Sequence, residues 1–226
     1  MTHASSTEFD RQRDLLVDLG YPGLAGISDE AFVALVEPLR ALVDGKDTTP
    51  ATTSTVPWVL VVTPNLIDSE KLVPLLRLAG GTLPGVVDRN HGDEGLAPYV
   101  PLATLDVPAG PAYIAFGIER GEEFCNVRPE DALPVITGRG RTPLTIPEGI
   151  ALVTLFPEVL EKNKCFMLSG SRRHDRRVPA MWISAKAPKL GWCWDGNPHT
   201  WLGTASAERR AGAGQITSGP HVSAAG

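Results

Sequence analysis

Residues 164–195 read KCFMLSGSRRHDRRVPAMWISAKAPKLGWCWD, and this stretch decides the fold. It contains three runs of strand type, at 164–169, 178–184 and 190–195, which are separated by short polar loops. Strands that follow one another over short loops usually pair as neighbours. The stretch therefore predicts a C-terminal antiparallel β-meander.

The residues around the meander predict an α+β main domain over 57–206, with a mixed or mainly antiparallel sheet and helices on one face. Two further strands read as continuous apolar runs, and three helices are bounded by caps, glycines and prolines. One helix opens with the capping box Thr-Ile-Pro-Glu at 145–148. The predicted strands are 58–64 and 112–119, and the predicted helices are 68–79, 130–137 and 146–156.

The N-terminal part, residues 1–45, is predicted to be a helical hairpin. Its first helix spans 7–19, and its second begins after Ser28 and runs to Val43, with a kink at Pro38 because proline lacks the N–H for the helical bond. Residues 46–56 have the composition of a linker. Residues 207–226 contain too few apolar side chains to order themselves, so the sequence predicts a disordered tail.

The charge of the chain is unevenly distributed. The 226 residues carry a formal net charge of −5, yet the segment from Arg139 to Lys189 contains ten Lys/Arg and four Asp/Glu, which is +6. The remainder therefore carries −11. The acidic total argues against a nucleic-acid partner. The asymmetry predicts a basic pole on an acidic body.

The N-terminus and the cysteines predict a cytoplasmic protein. The first residues, MTHASSTEFD, contain no signal-like apolar run, and no apolar run approaches the roughly 20 residues of a membrane helix, so no membrane partner is expected. Cys125, Cys165 and Cys193 are far apart in sequence and are expected to be reduced. The sequence contains no CxxC pair, and strand geometry places Cys165 and Cys193 more than about 10 Å apart. We therefore expect no structural zinc, assign no metal ligand and leave any cofactor open.

Strand direction predicts that the hairpin tip and the WCWDGNPHTW segment (192–201) meet at one edge of the sheet. We name the four tip arginines, Arg172, Arg173, Arg176 and Arg177, the arginine edge. Guanidinium groups bind carboxylates and phosphates in a planar, two-pronged way, and the Ser-Gly-Ser turn could add backbone N–H groups. The edge predicts binding of an anionic small molecule or an acidic protein surface, and the alternative is a solvated hairpin tip. The predicted binding residues are Ser169, Ser171, Arg172, Arg173, His174, Arg176, Arg177, Trp194, Asn197 and Trp201.

An enzyme acting on an anionic substrate is the second hypothesis. In it, Arg172 and Arg173 hold the substrate and His199 is the general base, with Cys193 or Asp195 assisting. The spacing from Cys193 to His199 is not a signature of a known class of cysteine hydrolase. The alternative for Cys193 is a buried core thiol, since free cysteine is among the most buried residue types.

A polar loop at 86–95, VVDRNHGDEG, also contains side chains suited to chemistry. Asp88, His91, Asp93 and Glu94 have the oxygen and nitrogen atoms for a hard metal or for acid–base work. The alternative, a solvated turn after a buried strand, is the interpretation we favour.

Three blocks of the sequence resemble a family of actinobacterial proteins of unknown function. They are EFCNVRPEDALPVITGRGRTPLT (123–145), KCFMLSGSRR (164–173) and GWCWDGNPHTWLGTAS (191–206). The resemblance covers about residues 57–206, with the N-terminal helices and the tail outside it. It implies a cytoplasmic bacterial setting, and it implies no catalytic residue.

Overall fold

The computed structural model describes residues 3–45 and 49–215. The α-helices in these ranges are α1 (His3–Asp18), α2 (Tyr21–Ala25), α3 (Asp29–Val36), α4 (Arg40–Val43), α5 (Ser69–Leu72), α6 (Pro129–Gly138) and α7 (Ile146–Leu155). The strands are β1 (Thr55–Val62), β2 (Val86–Val87), β3 (Val100–Pro101), β4 (Ala112–Glu119), β5 (Thr142–Pro143), β6 (Cys165–Met167), β7 (Ser171–Arg172), β8 (Arg177–Ser184), β9 (Ala187–Trp194), β10 (Leu202–Thr204), β11 (Ser206–Ala207) and β12 (Arg209–Ala211).

The N-terminal helices cover the free edge of the first sheet. Ser28 caps α3 by accepting the Ala31 N–H at 3.2 Å, and a 3-10 turn at Glu37–Leu39 separates α3 from α4 at Pro38. The side-chain amide of Gln12, fully buried, donates to the Trp58 carbonyl and accepts from the Leu60 N–H. It thereby satisfies backbone groups that an edge strand leaves open. The division into a hairpin, a linker and a main domain stays a prediction, and linker residues 46–48 lie outside the described residues.

The first sheet has the strand order β1-β4-β11-β5, with β12 also paired to β4. Strands β1 and β4 are antiparallel, with Val59 opposite Ala115, and both are buried over most of their length. Helix α7 packs against β1. Burial on both faces explains why these strands read as continuous apolar runs rather than as alternating patterns.

The second sheet has the order β10-β6-β8-β9-β2 and confirms the meander, because β6, β8 and β9 are antiparallel neighbours. Parallel pairings of β10 with β6 and of β2 with β9 make the sheet mixed. Strands β8 and β9 are joined by Ala185 and Lys186, both with positive φ, as a two-residue hairpin of type I′ requires. The α+β class is confirmed.

Two sequence expectations are wrong in part. Helix 68–79 shortens to α5 and a 3-10 turn at Val73–Leu75, because Pro74 cannot continue the helical bonding. The disordered tail is wrong for residues 207–215, since β12 pairs with β4 and the Arg210 side chain is 3% exposed. The sequence prediction considered only the apolar side chains within residues 207–215. In the structure, β12 is ordered by pairing with the backbone of β4. Residues 216–226 lie outside the described residues.

Candidate functional site

The arginine edge and the Asp-Gly-Asn-Pro-His segment meet, as strand direction predicts. The Arg172 Nη2 donates to Asp195 Oδ1 at 3.0 Å, and the Asp195 N–H donates to the Arg176 carbonyl at 2.9 Å. In the β8–β9 register, Arg177 lies opposite Trp194. The juxtaposition follows from the two-residue hairpin, which brings the start of β8 beside the end of β9.

Each arginine of the edge has an acidic partner. The ion pairs are Arg172 with Asp195 (3.0 Å), Arg173 with Glu94 (3.2 Å) and Asp175 (3.1 Å), Arg176 with Glu130 (2.5 Å), and Arg177 with Asp175 (3.6 Å). The Arg176 side chain is 63% exposed, whereas that of Arg173 is 7% exposed. The exposed guanidinium of the edge, that of Arg176, is therefore neutralised by Glu130, whereas that of Arg173 is nearly buried.

The tryptophans predicted to contact a ligand have different environments. The Arg177 guanidinium lies 4.5 Å from the Trp192 ring centroid and 6.0 Å from that of Trp194, which is 45% exposed. Trp201 instead packs edge-on against Trp182 at 6.2 Å and beside His199 at 5.5 Å. Trp194 is thus accessible at the edge, while Trp201 packs against the core.

The Ser-Gly-Ser turn serves the fold rather than an anion. The Gly170 N–H donates to the Leu144 carbonyl, and the Ser171 N–H to the Leu168 carbonyl. The Ser171 hydroxyl oxygen accepts the Ile146 N–H at the start of α7, and Ser169 is fully buried. The expectation that the Gly170 and Ser171 N–H groups are available to an anion is therefore wrong, because backbone carbonyls already accept them. His174 and Asn197 are exposed.

The residues of the enzyme hypothesis have three separate sets of partners. The Cys193 thiol is buried, donates to the Met167 Sδ at 3.6 Å, and has a pKa raised by burial to about 12. Asp195 holds Arg172, and burial lowers the pKa of His199. No hydrogen bond joins Cys193, Asp195 and His199 among the residues that the structure describes. The geometry thus resembles the core-thiol alternative, and the catalytic roles stay predictions.

Beneath the polar loop at 86–95, buried polar groups lie together without adequate partners. His91 is 3% exposed, and neither of its ring nitrogens makes a hydrogen bond of normal geometry within the described chain; the same holds for the Tyr99 hydroxyl. The His91 and Tyr99 rings lie 5.4 Å apart, and the Arg173 Cζ is 5.7 Å from the Tyr99 ring. We name His91, Tyr99, Arg173 and Arg177 the His91 cluster.

The unpaired atoms of the His91 cluster are mainly hydrogen-bond donors. The Nη1 of Arg173 makes no hydrogen bond to any described residue, and the Nε atoms of Arg173 and Arg177 form ion pairs with Asp175 Oδ2, at 3.1 and 3.6 Å, without hydrogen-bond geometry. A guanidinium only donates, whereas tyrosine and neutral histidine can each donate one bond. Burial lowers the pKa of His91, so its ring is neutral at pH 7. Buried polar groups in folded proteins are nearly always paired with protein, water or an ion.

The sequence predicted only part of the His91 cluster. Arg173 and Arg177 were predicted, and His91 was singled out in a loop that we favoured as a solvated turn. That interpretation is wrong for His91, which is buried because its ring packs edge-on against Tyr99. Nothing in the local sequence marks Tyr99, and the proximity of His91 to it arises only in the folded chain.

The three cysteines are free thiols. Among the described residues, no group of three or more His, Cys, Asp or Glu side chains is arranged to hold a metal ion, and no helix has the length and apolarity to cross a membrane.

Comparisons with known proteins identify the family. A search of curated proteins and a search of solved structures find no match. The model of a family of unknown function (DUF5701) matches residues 15–213, a wider span than the resemblance over 57–206, so most of the N-terminal helices lie inside it. The actinobacterial source and the cytoplasmic setting stay predictions. Because the match covers most of its length, the chain belongs to this family of unknown function.

Proposed function

We propose that the protein binds a small anion at the inner half of the arginine edge, in the His91 cluster. The observation that carries the proposal is the group of buried donors on Arg173, Arg177, His91 and Tyr99 that make no hydrogen bond, although the Nε atoms of both arginines form ion pairs with Asp175. Each buried donor without a partner costs about 1–3 kcal/mol. A phosphate or carboxylate group would accept from several of these donors at once.

In this proposal, the anion enters the His91 cluster through the loop at 86–95. Glu94, whose side chain is 67% exposed, supplies a carboxylate oxygen to Arg173 Nη2 at 3.2 Å. Gly92 and Gly95 flank it with φ of 70° and 54°, values that favour glycine. An exposed ion pair contributes about 0–1 kcal/mol. A ligand anion therefore has to displace the weakly held Glu94 carboxylate and to share Arg173 and Arg177 with the carboxylate of Asp175, whose side chain is 28% exposed.

The same geometry makes an acidic protein surface the weaker alternative. The exposed arginine of the edge, Arg176, is already bound to Glu130 at 2.5 Å. The most buried guanidinium of the edge is that of Arg173, whose side chain is 7% exposed. An ion of a few atoms fits this arrangement better than a protein surface. The hypothesis of an enzyme has no comparable observation in its favour.

The test is isothermal titration with inorganic phosphate and with acetate at constant ionic strength. We expect binding that Arg173→Gln weakens at least tenfold, since a hydrogen bond to a charged group contributes about 1.5–3 kcal/mol. Glu94→Gln should tighten binding by up to about fivefold, because it removes the competing carboxylate. The matched control is Arg139→Gln, an arginine paired at the surface with Glu123, which should leave the affinity unchanged.

Two results would overturn the proposal. Absence of binding by both the natural chain and Glu94→Gln would mean that the cluster holds only water, as buried polar sites often do. If Arg176→Gln weakened binding as much as Arg173→Gln, the site would be the outer surface of the edge.

A further inference from the structure

A cavity of about 590 Å³ is lined in part by Tyr99 and by Ser171, the residue before the arginine edge. Its wall is formed by residues after β1, the start of β4, the start of α7 and most of segment 96–109. The volume is within the range of roughly 300–1,000 Å³ found for small-molecule sites. The interior of this cavity has no role in the proposed anion site.

The charge of the cavity wall differs from that of the arginine edge. Asp68 is the one carboxylate of the lining, and no lysine, arginine or histidine from the described residues lines it. Behind the wall, the charge of the buried Glu148 is compensated by Arg210. An anion inside the cavity would have no cation to pair with. It would also lose its hydration water, which costs free energy. The wall therefore disfavours anions.

The polar atoms of the wall are suited to accept hydrogen bonds. The Tyr113 hydroxyl donates to Glu148 Oε1 at 3.0 Å, so its oxygen can only accept further hydrogen bonds, and the residue is 1% exposed. Burial and the neighbouring Glu148 carboxylate raise the pKa of Tyr113, so the proton stays on the hydroxyl. Asp68 accepts the Glu70 N–H through Oδ1 and is otherwise exposed at the wall. Most other side chains of the lining are apolar.

We propose that this cavity binds a small organic molecule with a hydrocarbon segment and a hydrogen-bond-donating head, and that a cationic amine is preferred over an alcohol. The apolar wall would cover the hydrocarbon segment, and Asp68 would pair with the ammonium group. The inference is independent of the proposed anion site, because the ligand classes have opposite charge and the sites share only Tyr99.

The test uses three probes with the same eight-carbon chain, 1-aminooctane, 1-octanol and octanoate, in titration calorimetry at pH 7.5. We expect the amine to bind about fivefold more tightly than the alcohol, the size of an exposed ion pair, and octanoate to bind most weakly. Asp68→Asn should bring the amine to the affinity of the alcohol. Asparagine also caps helices, so α5 keeps its start.

A cavity-filling substitution separates the cavity from the acidic outer surface. Ala103→Trp and Ala97→Trp place a large ring at the lining, and Ala51→Trp is the control at an exposed alanine elsewhere. We expect at least one filling variant that keeps the natural melting temperature to lose the alcohol, while Ala51→Trp binds normally. Octanoate binding as tightly as the amine, binding that survives both filling variants, or no binding by any probe would each overturn the inference. Phosphate binding is unaffected by these outcomes.

Discussion

Two buried clusters of this molecule contain the same kinds of side chain and differ in how fully their polar atoms are paired. The His91 cluster combines arginines and a tyrosine with nearby carboxylates and leaves several buried polar atoms without a hydrogen bond. The second, which we name the Glu148 cluster, consists of Glu148, Arg210 and Tyr113. Its carboxylate and guanidinium are joined at 2.5 and 2.8 Å.

The Glu148 cluster is complete. Glu148 also accepts from the Tyr113 hydroxyl at 3.0 Å and from the Thr145 N–H at 2.7 Å. Arg210 also donates hydrogen bonds to the Thr142 hydroxyl and the Pro143 carbonyl. A fully paired polar network holds one arrangement of its elements, here β12, β5 and the start of α7. The comparison indicates that the complete cluster serves the fold and that the incomplete one is available to a ligand.

The largest effect is expected from breaking the complete cluster with Arg210→Met. The change leaves the fully buried Glu148 without its cation, and removing one partner of a buried pair costs about 3–5 kcal/mol. Urea unfolding followed by circular dichroism measures it. Arg209→Met, at an exposed neighbour that lies over Phe116, should cost less than about 1 kcal/mol. Equal losses in the two variants would contradict a structural role for the pair.

A smaller effect is expected from pH, through His91. Burial lowers its pKa from the ordinary value of 6.5, with Asp88, the Leu190 backbone and Glu70 opposing the shift and Arg177 reinforcing it. Below about pH 6.5 the unfolded chain therefore takes up the proton first, so this part of the stability is present above that pH and is lost as the pH falls. Melting temperatures between pH 7.5 and 5.5 should fall less in His91→Leu than in the natural chain.

Repeating the pH experiment with phosphate tests whether a bound anion acts on His91. A bound anion favours the charged imidazole, so saturating phosphate should reduce the loss of stability on acidification. His199, whose pKa is also lowered by burial, contributes equally to both proteins and cancels in the comparison. An identical pH dependence in the natural chain and His91→Leu would show that His91 is not held neutral by the fold.

The smallest effect on stability is expected from Arg173→Met, the counterpart of Arg210→Met in the incomplete cluster. Methionine fills much of the same space and removes buried donors that make no hydrogen bond. The ion pairs lost with the partly exposed Glu94 and Asp175 contribute only about 0–1 kcal/mol each, so the midpoint of urea unfolding should stay unchanged or rise. Phosphate binding should be lost in the same variant. A loss of stability as large as that of Arg210→Met would remove the distinction between the clusters.

Local sequence patterns were sufficient for much of the fold. The capping box at 145–148 predicted the start of α7, and the Thr145 N–H does donate to the Glu148 side chain. The apolar run at 112–119 is β4 without a residue of difference. The short loop after Ser184 predicted the β8–β9 hairpin, and hence that the arginine edge meets Asp195. Each of these signals acts over a few residues, so no knowledge of distant contacts is needed.

The sequence alone determined the α+β class, the order of the main elements and the edge where charge gathers, because periodicity and turn chemistry are local properties. Only the tertiary structure determined which charged groups have hydrogen-bond or ion-pair partners. Arg210 reaches Glu148 across 62 residues of sequence from a segment predicted to be disordered, and Arg173 meets Glu94 across 79. Whether a buried donor finds an acceptor depends on positions set by the whole core, which no local pattern encodes.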